Sequence, residues 1–186
     1  MAGKTEEGRR WGAWRIAGWG AGASLLLAPF VAMQFTNEVN WTLFDFIFAG
    51  ALIGAVGIAF ELAVRMTRND AYRTGVAAAL AAVFLIVWAN GAVGMIGSEH
   101  NPYNLLFIAV IAVALLGAVI AFYRPAGMAL TMLVAAVAQA CAGMGGLSAD
   151  PRGAVLSTAF AGLWLLAAAL FRKAAREQAR ECGAAG

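Results

Sequence analysis

Asn90-Gly-Ala-Val-Gly94-Met-Ile-Gly97-Ser-Glu99-His100-Asn101-Pro102-Tyr103-Asn104 gathers the least typical chemistry of a 186-residue chain. It holds the only histidine, beside a carboxylate and among amides, and both flanks are alanine-rich and apolar. It reads as the end of one membrane helix, a turn beyond the bilayer, and the start of the next. Gly91, Gly94 and Gly97 recur every three residues, so one helix face there is bare backbone, open to close packing or to an unwound end. Asn101 is placed as a helix cap, with Pro102 in the following first turn.

Composition supports that reading outward from the turn. The chain is 62% hydrophobic and 12% charged, whereas a soluble domain keeps roughly a quarter of its residues charged. A helix needs ~20 mostly apolar residues to cross the hydrocarbon. Six stretches qualify: 16–35, 42–64, 72–96, 103–122, 126–147 and 153–171. Their runs are continuous and alanine-rich rather than alternating, which favours helices over a β-barrel. The expected fold is an all-α, six-span transmembrane bundle over 16–171. A cytoplasmic tail of 1–15 precedes it and another of 172–186 follows it.

The charges orient the bundle. With the amino terminus in the cytoplasm, the inner side receives Lys4, Arg9, Arg10 and Arg15, then Arg65, Arg68 and Arg73, then Arg124. Arg172, Lys173, Arg176 and Arg180 follow, so that of the 13 basic residues Arg152 alone faces outward. This is the positive-inside asymmetry, and it places both termini inside a bacterial-type inner (plasma) membrane. A cleaved signal peptide is the alternative for the first span. The long apolar run, the lack of a small-x-small cleavage site and the charge pattern all favour retention.

Polar residues mark candidate sites. The outer connections and helix ends supply Glu38, Asp45, Asn90, Glu99, His100, Asn101, Asn104 and Asp150. Brought to one mouth, their carboxylates and imidazole would hold a divalent cation or a cationic solute, or take up protons. The plainer reading is a set of solvated loops. Asn90, inside the outer part of its span, is expected to hydrogen-bond to a neighbouring helix. Glu61 precedes Arg65 by one turn, so the two read as an inner-side ion pair; the alternative is a proton carrier.

Exclusions are firmer. One histidine cannot supply paired axial haem ligands. Cys141 and Cys182 fall on different sides, against a disulfide or a shared zinc site. There is no phosphate-binding glycine loop and no dinucleotide fingerprint. No cofactor, no bound metal and no nucleic-acid partner is expected. The span centres hold almost no ionisable groups, whereas coupled transporters keep such groups near the midplane. The expectation is therefore a non-enzymatic accessory or interaction subunit, with lipid and either partner subunits or further copies around it. The alternatives are a small permease or channel behind an acidic mouth and, more weakly, a membrane enzyme using Glu99 and His100.

Two patterns suggest internal repetition. Gly94-Met95-x-Gly97 before Asn101-Pro102 echoes Gly143-Met144-x-Gly146 before Asp150-Pro151. Trp14-Arg15, Tyr72-Arg73 and Tyr123-Arg124 each precede an outward-going helix. Three parallel hairpins of ~50 residues would explain both, as would ordinary interface chemistry. The first hairpin, with Leu25-Leu-Leu-Ala28-Pro29-Phe30 and then Asn40-Trp41, resembles the two-helix SPW repeat of small bacterial membrane proteins. Ala-Pro-Phe stands where that repeat has Ser-Pro-Trp, and the later hairpins lack the motif. The resemblance covers at most a quarter of the chain. It implies hairpin architecture and no chemistry.

Overall fold

The computed structural model describes residues 2–184, with side chains from residue 16 onward. Among these residues the chain is all-helical, with no strand. The α-helices are α1 (Ala2–Ala32), α2 (Leu43–Met66), α3 (Asp70–Ala92), α4 (Leu105–Ile120), α5 (Pro125–Gly145), α6 (Pro151–Ala159) and α7 (Ala161–Ala184). A 3-10 turn, Pro102–Asn104, leads into α4. Five helical segments are long and apolar enough to cross a membrane: α2, α3, the 3-10 turn with α4, α5, and α6 with α7. The apolar part of α1, Ile16–Ala32, is shorter. The protein is thus a helical membrane bundle.

Several expected boundaries move. The third span stops at Ala92 rather than residue 96, because Gly94 and Gly97 take left-handed backbone at φ +77° and +74°, which favours glycine. The fourth stops at Ile120, and Phe122 and Tyr123 turn the chain with φ of 48° and 57°. The sixth is interrupted at Phe160. Just before that break the Thr158 hydroxyl donates to the Ala154 carbonyl at 2.7 Å, a back-bond that bends helices. α7 then runs through the residues read as a tail, and α1 likewise takes in residues read as the leader.

The chain divides into two compact units, residues 1–61 and 62–186. In the first, α1 and α2 form a hairpin with close contacts at small residues. A Cβ on Gly22 would lie 2.9 Å from Ile53, and one on Gly57 would lie 3.1 Å from the Trp19 ring. Trp41 and Phe30 both meet Phe46 edge-on near the turn. At the start of α2 the Thr42 N–H donates to the Asp45 carboxylate at 2.7 Å and the Asp45 N–H returns to the Thr42 hydroxyl at 3.4 Å. This is a capping box, satisfying amides that the helix itself leaves free.

The second unit has small residues inside and large apolar ones outside. Ala78, Ala82, Ala114, Ala135, Ala136 and Ala167 are buried around Ile86, Phe107, Trp164 and Phe171, while Leu115, Leu116, Leu130 and Leu166 are exposed. Water would drive such a surface to aggregate, but in lipid it is ordinary, and small residues let helices approach. Gly75, for example, sits 3.3 Å (at a built Cβ) from the Phe171 ring.

Helices 3, 4, 5 and 6–7 run alternately between two ends of this unit. At the basic end Asn69 caps α3 by accepting from the Tyr72 N–H and reaches α7 by donating to Glu177 at 2.8 Å. The Tyr72 hydroxyl donates to the Tyr123 carbonyl. Arg73 donates to the carbonyls of Val64 and Thr67 at 2.9 and 2.8 Å, which satisfies acceptors where α2 finishes. The other end carries the central turn.

Candidate functional site

The turn of residues 93–104 is built around a buried amide. Asn104 accepts from the Met95 and Ile96 N–H groups at 3.2 and 2.8 Å and donates to the Ser98 carbonyl at 2.8 Å. Asn101 accepts from the Tyr103 N–H, as a cap should, and donates to the Ile96 carbonyl. Two asparagines therefore supply the hydrogen bonds that the unwound end of α3 would otherwise lack.

Asp150 locks this turn to α6. One of its oxygens accepts from the Gly153 N–H at 2.9 Å, capping the helix, and the other from the Gly97 N–H at 3.0 Å. These amides hold its carboxyl below the usual carboxylate range, because they stabilise the ionised form. Deeper in, the Ser157 hydroxyl donates to the Met95 carbonyl at 3.1 Å and Gln139 donates to the Ser157 carbonyl at 2.9 Å. The Tyr103 hydroxyl reaches the Ala142 carbonyl at 2.8 Å. A Cβ on Gly145 would strike that hydroxyl.

Beside the turn lies an open hollow of about 300 Å³ bounded by Asn90, Glu99, His100, Asn101, Asn104 and the first turns of α4. Glu99 and His100 stand 3.3 Å apart, carboxylate to Nδ1, with the histidine side chain 87% exposed. Water at that exposure screens the pair. Asn90 does not make the expected interhelical bond. Both polar atoms of its amide are closed from solvent and, among the described residues, without a hydrogen-bond partner.

The structure thus brings Asn90, Glu99, His100 and Asn101 to one hollow and assigns Asp150 to a structural bond. Asp45 caps α2 and Glu38 is exposed on the hairpin turn; both belong to the first unit. Among the described residues, no three His, Cys, Asp or Glu side chains converge as metal ligands. Glu61 and Arg65 lie one turn apart on α2, and neither is without a partner. Cys141 and Cys182 are both free thiols.

The repeat pattern divides in two. Asn101-Pro102 and Asp150-Pro151 do the same job, each an Asx cap before a proline. The glycines do not, since Gly94 and Gly97 turn the chain while Gly143 lies inside α5 against Thr158 and Gly146 is right-handed. Ser157 was missed as a partner of the turn. Its signal was a hydroxyl within an apolar run, opposite the one buried glutamine.

The chain matches no protein-family model, no curated protein and no solved structure.

Proposed function

We propose that the protein is a non-enzymatic, multi-pass subunit of an inner-membrane complex, acting through helix contacts, with both termini in the cytoplasm. The observation that carries this reading is the first hairpin. Within α1 and α2, Ala49 is the one described residue that is buried. A Cβ on Gly18, Gly20 or Gly54 would meet nothing within 4 Å. Glycine weakens a helix by about 1 kcal/mol relative to alanine, and membrane helices retain it where another helix approaches closely. Glycines with open space at the Cβ position, on helices with a single buried described residue, suit a docking element. The packed centre of the second unit, closed by Phe107, Trp164 and Phe171, supports a scaffold rather than a pathway. The test is purification in mild detergent with mass spectrometry of co-purifying proteins, repeated with Gly20→Leu and Gly54→Leu. A stoichiometric partner lost in these variants, with the fold retained, supports the reading. Identical behaviour of wild type and variants removes its basis.

The hollow beside Glu99 and His100 favours a second reading, a small permease or channel that admits a cation or small solute there. It requires solute-dependent stabilisation that disappears in Glu99→Gln.

A further inference from the structure

The second large recess of the bundle is a groove of about 880 Å³ between α5 and α7, at the basic end of the second unit. Its floor is apolar, with Ala129, Leu133 and Leu165 among its residues, and its rim carries Arg172, Arg176 and Arg180. The three arginines are four residues apart, so they stack on successive turns of one helix face over roughly 12 Å at the α-helical rise. They are exposed, and among the described residues none has a carboxylate within ion-pair distance. The groove does contain one carboxylate, Glu177, but Asn69 donates to it at 2.8 Å and Lys173 lies 3.8 Å from it. The rim is therefore cationic, with its single acid already engaged. The amino terminus of α5 opens at the same end, and its cap residue Arg124 makes no side-chain capping bond, so the backbone adds partial positive charge.

We propose that this groove binds one anionic phospholipid, with the headgroup phosphate on the Arg172–Arg176–Arg180 ladder and an acyl chain along the α5–α7 floor. Charge complementarity selects the occupant. Guanidinium groups grip phosphate oxygens through paired, charge-assisted hydrogen bonds. The recess continues from that rim into an apolar channel on a lipid-facing surface, which suits an amphiphile and not a free anion. Basic recesses between membrane helices on the cytoplasmic side are suited to such headgroups. This inference stands independently of the interaction-subunit reading, because it concerns α5 and α7 and not the first hairpin.

The test is native mass spectrometry of the full-length protein in mild detergent, titrated with phosphatidylglycerol or with phosphatidylcholine of identical acyl chains. One phosphatidylglycerol per chain is expected to be retained preferentially. Each arginine contributes about fivefold at ~1 kcal/mol per basic residue near a lipid surface, so Arg172→Gln/Arg176→Gln/Arg180→Gln should lose roughly a hundredfold. Arg172→Lys/Arg176→Lys/Arg180→Lys should retain most of the preference, and Arg68→Gln all of it. Ala169→Trp, which fills the groove and leaves the charge unchanged, should abolish retention while helical circular dichroism is preserved. The proposal is overturned if the two lipids are retained equally, if the glutamine variant binds as the wild type does, or if glycerophosphate competes as well as the lipid. Unchanged retention in Ala169→Trp would reduce the effect to diffuse charge attraction and overturn it equally.

Discussion

Replacing Asn104 with leucine removes the amide that organises the turn between α3 and α4, and the structure sets the size of the effect. Asn104 is 6% exposed and makes three hydrogen bonds, accepting from Met95 and Ile96 and donating to Ser98. A net ~1 kcal/mol for each bond gives about 3 kcal/mol, or roughly 150-fold in the folded-to-unfolded ratio. Met95 and Ile96 are themselves buried, so their amides would be left without water as a substitute, and the true cost should lie at or above that figure. Asn104→Asp keeps both acceptor bonds but sets a carboxylate oxygen against the Ser98 carbonyl, so about 1–2 kcal/mol is expected. The assay is thermal unfolding in mild detergent, followed by tryptophan fluorescence, with hydrogen exchange at the Met95 and Ile96 amides. Leucine should lower stability more than aspartate does, and exchange at those two amides should rise in the leucine variant before the helices loosen. An Asn104→Leu protein within 0.5 kcal/mol of wild type, with both amides still protected, would refute the reasoning.

Three further outcomes follow from the same end of the bundle. Gly94→Ala, at φ +77° and with a Cβ 2.5 Å from the Ser98 backbone, should destabilise by about 1–3 kcal/mol, whereas Gly54→Ala, which meets nothing, should not; equal melting temperatures for the two would contradict this. Gly145→Ala should push Tyr103 off the Ala142 carbonyl, and adding Tyr103→Phe should relieve the clash, so a strictly additive double-mutant cycle would exclude the contact. Asp150 has its carboxyl held low by the Gly153 and Gly97 amides, so its stabilisation is complete above the ordinary carboxylate value and fades as pH drops through the lowered folded one. Melting temperatures between pH 5.5 and 3 should fall more steeply for wild type than for Asp150→Asn, and parallel curves would discard that assignment.

The membrane class and most spans were legible because length and apolar content decide whether a helix can cross lipid. Their ends were not. Val93 to Ile96 is as apolar as the helix before it, and the chain leaves the helix there through the left-handed Gly94, with Asn104 taking the Met95 and Ile96 amides from nine and eight residues away. The break at Phe160 was equally hidden, since no proline or charge marks it. Asn101 and Asp150 were readable as caps from their position before proline, but the second bond of Asp150, to Gly97, crosses 53 residues and leaves no local trace. Asn90 is expected to bond to a neighbouring helix, and its amide finds no hydrogen-bond partner among the described residues. Spacing shows that an amide lies within a span, and only packing decides whether a neighbour faces it.

Sidedness tests the account most directly. With Cys141 and Cys182 both replaced by serine, His100→Cys reports the turn; in a separate protein with Cys141→Ser alone, the native Cys182 reports the end of α7. A membrane-impermeant maleimide applied to intact cells should label the cysteine at position 100, and should reach Cys182 only after the membrane is permeabilised. Labelling of both from outside, or of Cys182 alone, would contradict a bundle whose basic end lies in the cytoplasm.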